Sequence, residues 1–178
     1  LLYLIEHGIS AVNAHTNLDL APNGVNDCLA AKLGLTDVTV IDPCGTDERG
    51  QLYGLLRGGS VSEQTPQEFA AFVKKALSCE GLRYVSGGRP VRRAAVGGGS
   101  CSEYIARVAE LGYDAFVTAD CKYNGFADAQ ALGLTLVDAG HFQTENPVCA
   151  ELARQLRAHF PELTVFLSKR HGDCIKFL

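Results

Sequence analysis

Short apolar runs alternate with helical segments along almost the whole chain, and that alternation constrains the fold more than any other feature. Strand and helix taking turns is the signature of an α/β layered fold, in which helices cover a sheet. The runs that read as strands are Ile9–His15, Val38–Ile41, Gln51–Arg57, Leu82–Ser86, Val91–Val96, Asp114–Thr118, Thr135–Asp138 and Leu163–Leu167. A helix is expected over about 23–33, with Val25, Leu29 and Leu33 on one face and Gly34 at its end. Thr65-Pro66-Gln67-Glu68 reads as a capping box with proline in the first helical position, ahead of a Phe69, Phe72, Val73, Ala76 and Leu77 face. Ser100-Cys101-Ser102-Glu103 reads as a second capping box, opening a helix that Gly112 closes. Further helices are expected near Phe126–Leu132 and from Asn146-Pro147 to Pro161, the last with a Val148, Leu152, Leu156 and Phe160 core stripe. Leu1–Gly8 reads as a helix end closed by glycine.

With 178 residues, 47% of them hydrophobic, the chain can bury a core as one domain or as two small lobes. Gly58–Gln64 is the loosest stretch. It divides 1–60, the remainder of a first lobe, from 61–178, a second lobe whose C-terminal part packs back to complete one site. The expected architecture is therefore layered mixed sheets with flanking helices in two related lobes. A net charge of −4 argues against a dedicated nucleic-acid binder, which normally presents a basic face. No apolar run approaches the roughly 20 residues that span a bilayer. The seven cysteines stand singly, without a Cys-x-x-Cys pair, as expected of reduced thiols in a cytoplasmic protein. The lack of methionine, even at the start, reads as a piece of a longer polypeptide.

One pattern occurs twice: an apolar run, a histidine, and a carboxylate four residues on, as His15 with Asp19 and His141 with Glu145. Imidazole and carboxylate are ligand types for zinc, iron and manganese. At a strand exit they would sit where α/β folds place their chemistry. Gly140 permits a sharp turn before His141, and Glu145 lies just ahead of a helix start, where the dipole favours the ionised carboxylate. Each pair taken alone is equally consistent with a plain role. His141 and Glu145 read as a surface histidine beside a helix-start carboxylate, and Asn13, Asn17 and Asp19 as a turn bonding its own backbone.

Gly97-Gly98-Gly99-Ser100 stands between a strand and a helix, where backbone amides can cradle an anion. It lacks the Gly-Lys-Ser/Thr ending of a nucleotide loop, so a tight packing turn is the expectation. Lys122, at another strand exit, is a candidate for steadying an anionic substrate, although such lysines are more often solvated surface. His7, His159 and His171 lack a paired carboxylate at a strand exit.

Ala14-His15-Thr16-Asn17-Leu18-Asp19 with Gly24-Val25-Asn26-Asp27 resembles the Nif-three-like proteins, also described as GTP cyclohydrolase I type 2 homologues. Val96–Ser100, Asp114–Thr118 and Asp138–Glu145 match that family's later motifs in the same order. The resemblance implies a dinuclear metal centre in an α/β protein of two related lobes, assembled as a toroidal hexamer. It places Asp19, His141 and Glu145 on the metal ligands and His15 at the site, facing the substrate or the ligands. The further ligands it implies come from a His-His-Pro motif that this sequence lacks, and Asn124 stands where many relatives carry histidine.

The leading expectation is a metal-dependent hydrolase or cyclohydrolase-like enzyme acting on a nucleotide or another small polar molecule. Two divalent ions would be held by Asp19, His141 and Glu145, with His15 orienting or shuttling a proton. The rival is a non-catalytic scaffold or metal carrier.

Overall fold

The computed structural model describes all 178 residues. Its centre is a six-stranded mixed sheet in which the alternation of strand and helix becomes a run of parallel crossovers. The chain begins with α1 (Leu2–Glu6), α2 (Thr16–Leu20) and α3 (Val25–Lys32), and continues through β1 (Thr36–Ile41), β2 (Gly45–Thr46), β3 (Leu52–Tyr53) and β4 (Leu56–Gln64). Then come α4 (Pro66–Ala76), β5 (Arg83–Val85), β6 (Val91–Val96), α5 (Ile105–Glu110) and β7 (Ala115–Thr118). The last elements are α6 (Tyr123–Ala131), β8 (Thr135–Asp138), α7 (His141–Glu145) and α8 (Pro147–His159). The sheet order is β1-β4-β6-β7-β8-β5, and β2 and β3 form a separate two-stranded ribbon.

Strands β6, β7 and β8 run parallel, joined by α5 and α6, while β1, β4 and β5 pair antiparallel at the flanks. Every residue of β7 and β8 is buried, as strands covered on both faces require. Because side chains alternate across the sheet, each strand feeds two cores. Ala94, Val96, Val117 and Val137 pack with Leu29, Leu33, Phe69 and Val73 from α3 and α4. Ala95, Phe116 and Leu136 pack on the other face with Ile105, Val108 and Ala129 from α5 and α6.

The capping box at Thr65 is present: its hydroxyl accepts from the Glu68 amide at 3.3 Å and Glu68 accepts from the Thr65 amide at 2.9 Å. Several expectations need correction. Residues 9–15 form no strand, since no neighbour pairs with them, and Val12 is 95% exposed. Leu163–Leu167 is likewise irregular, tied by Arg157 to the Val165 carbonyl rather than by a ladder. Gly58–Gln64 is not a loose boundary but the body of β4, paired with both β1 and β6, so the sheet runs through the expected junction at residues 60–61. Its glycines serve close packing: a side chain at Gly58 would collide with the Tyr113 ring and one at Gly59 with the Thr36 carbonyl. Finally, Ser100 caps nothing. A short 3-10 turn, Ser102–Tyr104, precedes α5, and the Cys101 amide ahead of it is taken by the Thr118 hydroxyl.

The Gln51–Arg57 run splits into β3 and the start of β4. The stripe on α8 is core only in part, with Val148 buried and Leu156 and Phe160 exposed. All seven cysteines are free thiols. Burial pushes Cys101 and Cys121 up to about 12 and Cys79 to about 11, which leaves these three protonated and inert. No helix is long and apolar enough to cross a membrane.

Candidate metal and substrate site

The three parallel strands end together, and the segments leaving them meet at one edge: Gly97–Ser100 after β6, Ala119–Lys122 after β7, and Ala139–His141 after β8. This is the carboxyl edge, where open α/β sheets hold their ligands. Asp138 joins two of these exits. Its carboxylate accepts from the Cys121 amide at 3.0 Å and the Gly140 amide at 3.2 Å, and pairs with Arg83. Gly140, at φ +89°, makes the turn that starts α7 with His141.

His141 lies between two carboxylates. Its Nδ1 is 2.6 Å from Asp120 Oδ2 and its Nε2 is 3.0 Å from Glu145 Oε1, one helical turn on. All three side chains are between 39% and 50% exposed, so a solute can reach them. The Asp120 hydrogen bond raises the His141 pKa above its ordinary value, helped by the charge of Glu145 and opposed by burial. Asp120 is itself in the left-handed region at φ +55°, a conformation aspartate tolerates.

Asp19 comes to this edge on α2. It lines, with His15 and Glu145, a cavity of about 350 Å³ whose wall includes Leu18, Phe142 and His171. Partial burial, then the charge of Glu145, raises the Asp19 pKa, while His15 and His141 oppose. His15 sits ahead of α2, exposed, its Nδ1 3.2 Å from the Thr16 hydroxyl. Asp19, Glu145 and His15 thus meet in one cavity from opposite ends of the chain; His141 does not line it but touches Glu145 and stands near enough to Asp19 to act on it by charge. Lys122 is not among the residues lining the cavity; it is exposed at the start of α6.

The glycine turn is engaged from within. The Gly97 amide donates to Val117, Gly98 to Asn26 Oδ1 at 2.7 Å, Gly99 to Thr144 Oγ1 at 3.0 Å, and Cys101 to Thr118 Oγ1 at 3.1 Å. With these amides occupied, the turn is a packing device rather than an anion cradle.

The donor types suit a divalent metal: two carboxylates and an imidazole whose far nitrogen is held by a further carboxylate, the arrangement that orients metal-ligating histidines. Room is made by Gly99. A Cβ there would lie 2.5 Å from Glu145 Oε1 and 3.2 Å from His141 Nε2, so glycine keeps the donors uncovered. The donors nevertheless bond one another, and nowhere do three or more His, Cys, Asp or Glu side chains stand as an assembled metal cage. A cation bound by both would displace the direct contact between His141 Nε2 and Glu145 Oε1.

Sequence reasoning missed Asp120 and His171. Asp120 follows β7 by two residues as His141 follows β8 by three, and that similar strand-exit context was the available signal. His171 gave none. It reaches the cavity only because the irregular C-terminal segment lays its ring 5.1 Å from that of Phe142.

A family model described as Duf34/NIF3 (NGG1p interacting factor 3) matches residues 1–173. A Streptomyces coelicolor protein named GTP cyclohydrolase 1 type 2 homolog is 37% identical over 176 residues, covering 95% of this chain and 58% of its own length. A Nostoc protein of the same name is 36% identical over 157 residues, covering 84% of this chain and 57% of its own. The chain therefore spans little more than half the length of these curated relatives. Among solved structures, a Staphylococcus aureus hypothetical protein superposes with a TM-score of 0.87 at 26% identity, over 98% of this chain and 71% of that one. A Bacillus cereus protein related to NIF3 gives 0.84 at 25% identity, over 98% and 75%.

Proposed function

This chain belongs to the Duf34/NIF3 family, and on that premise we propose that it is a metal-dependent hydrolase or cyclohydrolase-like enzyme. The observation that carries the reading is the meeting of Asp19 and Glu145 in one cavity, with His141 against Glu145 and steered by Asp120. In this proposal Asp19, Glu145 and His141 hold two divalent ions, zinc, iron or manganese, of the kind their donor chemistry accepts. Bound there, the ions would supply Lewis acidity that offsets negative charge developing in the transition state.

The chain's own residues would do the rest. Asp120 accepts the Nδ1 proton of His141 and so leaves Nε2 as the donor nitrogen. His15, exposed on the cavity wall, takes or gives a proton. The apolar wall of Leu18 and Phe142 excludes water from one side of the substrate. Lys122 has the lesser part of drawing an anionic substrate to this edge. A nucleotide substrate is suggested by the names of the relatives alone. The expected homo-oligomer, a toroidal hexamer, belongs to the same proposal and is checked by light scattering.

A second reading is a metal carrier or scaffold without turnover, which would use the same donors and ask no reaction of the cavity. The protein loaded with zinc or manganese and assayed against nucleotides and phosphoesters separates the two. Metal-dependent turnover that falls to background in Asp19→Ala supports the enzyme. Metal retained with silence across the panel supports the carrier.

A further inference from the structure

We infer that Asn26 and Thr144 are positioning residues that set the spacing between Asp19 and the His141–Glu145 pair by gripping the Gly98–Gly99 turn from either side. The inference rests on the proposed role of those donors as a metal site. Both side chains are fully buried, and both spend their polar atoms on this junction alone. Asn26 accepts from the Gly98 amide at 2.7 Å and donates through Nδ2 to the Asp19 carbonyl at 3.2 Å. One amide group therefore fixes the backbone of Asp19 to the end of β6. Thr144 accepts from the Gly99 amide at 3.0 Å and turns its own hydroxyl proton to the carbonyl of Gly140 or His141, each 3.0 Å away. One hydroxyl therefore fixes the turn carrying His141 to the same strand end.

The contacts cross 72 and 45 positions of sequence and meet on adjacent residues, so the separation of the two donor groups is read off two consecutive amides. Glycine is needed at both. A Cβ on Gly98 would press to 2.6 Å from Val25 Cγ1, and one on Gly99 would meet the Glu145 carboxylate. Gly99 also takes φ +66°, which a side chain resists. Thr118 locks the turn beneath, donating to the Gly99 carbonyl at 3.0 Å and accepting from the Cys101 amide. A buried asparagine and threonine need only find partners to satisfy a fold. Here one partner of each, the Asp19 carbonyl for Asn26 and the Gly140 or His141 carbonyl for Thr144, lies on a segment bearing a candidate ligand, and such outer contacts change metal affinity by about 10–100-fold when removed.

The test is a cobalt(II) titration followed by its visible absorption, with circular dichroism reporting the fold. Thr144→Val keeps the shape and removes the hydroxyl. It is expected to stay folded, to bind cobalt at least about tenfold more weakly, and to shift the spectrum, while Thr144→Ser restores both. Asn26→Leu is expected to act in the same direction. If Thr144→Val does not fold, Thr144→Ala, which also removes the hydroxyl and leaves the Gly99 backbone untouched, carries the same expectation. Wild-type affinity and spectrum in the folded variants would overturn the inference. If the wild-type protein itself gives no cobalt spectrum, the metal reading fails separately. Crystal structures of wild type and Thr144→Val then decide the inference, by whether the Asp19 to Glu145 separation changes or is left as it was.

Discussion

His141 is the residue on which protonation and ligand binding compete. Its pKa is raised chiefly by Asp120, so the fold stabilises the imidazolium. That contribution is complete below the unfolded value near 6.5 and is lost as pH climbs through the higher folded value. The melting temperature of metal-free protein should therefore fall between about pH 6 and pH 8. In Asp120→Asn, which loses the carboxylate charge, the fall should be shallower; identical slopes would show that Asp120 does not set the His141 titration. Asp19 works the other way. Burial and Glu145 raise its pKa, so its ionised form weighs against the metal-free fold at neutral pH. Asp19→Asn is expected to melt higher than wild type without metal and to lose metal binding, a site residue held at the expense of stability. A variant that melts lower and keeps its metal would contradict both statements.

At the level of elements, the features legible in the sequence were those that depend on local chemistry. The Thr65 box, the glycine closures at Gly34 and Gly112, and the β6, β7 and β8 runs all form near their expected bounds. The features that were not legible depend on partners. Ile9–His15 has the composition of a strand but nothing to pair with, and Gly58–Gly59 has the composition of a loop but accepts neighbours on both sides. The Ser100 box failed because no helix starts there: the chain enters α5 through the Ser102–Tyr104 3-10 turn, flanked by Cys101, whose amide is held by Thr118 from another strand. The Thr65 cap is local and its effect should be as well. Thr65→Ala should cost about 1 kcal/mol of stability, read by chemical denaturation, with metal binding unchanged. A cost near zero would show that α4 is held by Phe69 and Val73 packing alone.

For the molecule as a whole, one sheet carries contributions from both ends of the chain to a single edge. The family motifs pointed to Asp19, His141 and Glu145, and the sheet explains how residues so distant in sequence can approach. β8 delivers His141 and Glu145, α2 delivers Asp19, and the end of β6 lies between them. The buried bonds of Asn26 and Thr144 that hold this junction left no periodicity or spacing in the sequence, because they are set by tertiary contact. Whether this edge is a metal site is decided by anomalous diffraction from crystals soaked in zinc or manganese. A peak is expected within about 2.0–2.2 Å of carboxylate oxygens of both Asp19 and Glu145 and of His141 Nε2, absent in Glu145→Ala. A metal bound elsewhere on the molecule, or a peak at this edge that survives loss of Glu145, would contradict it.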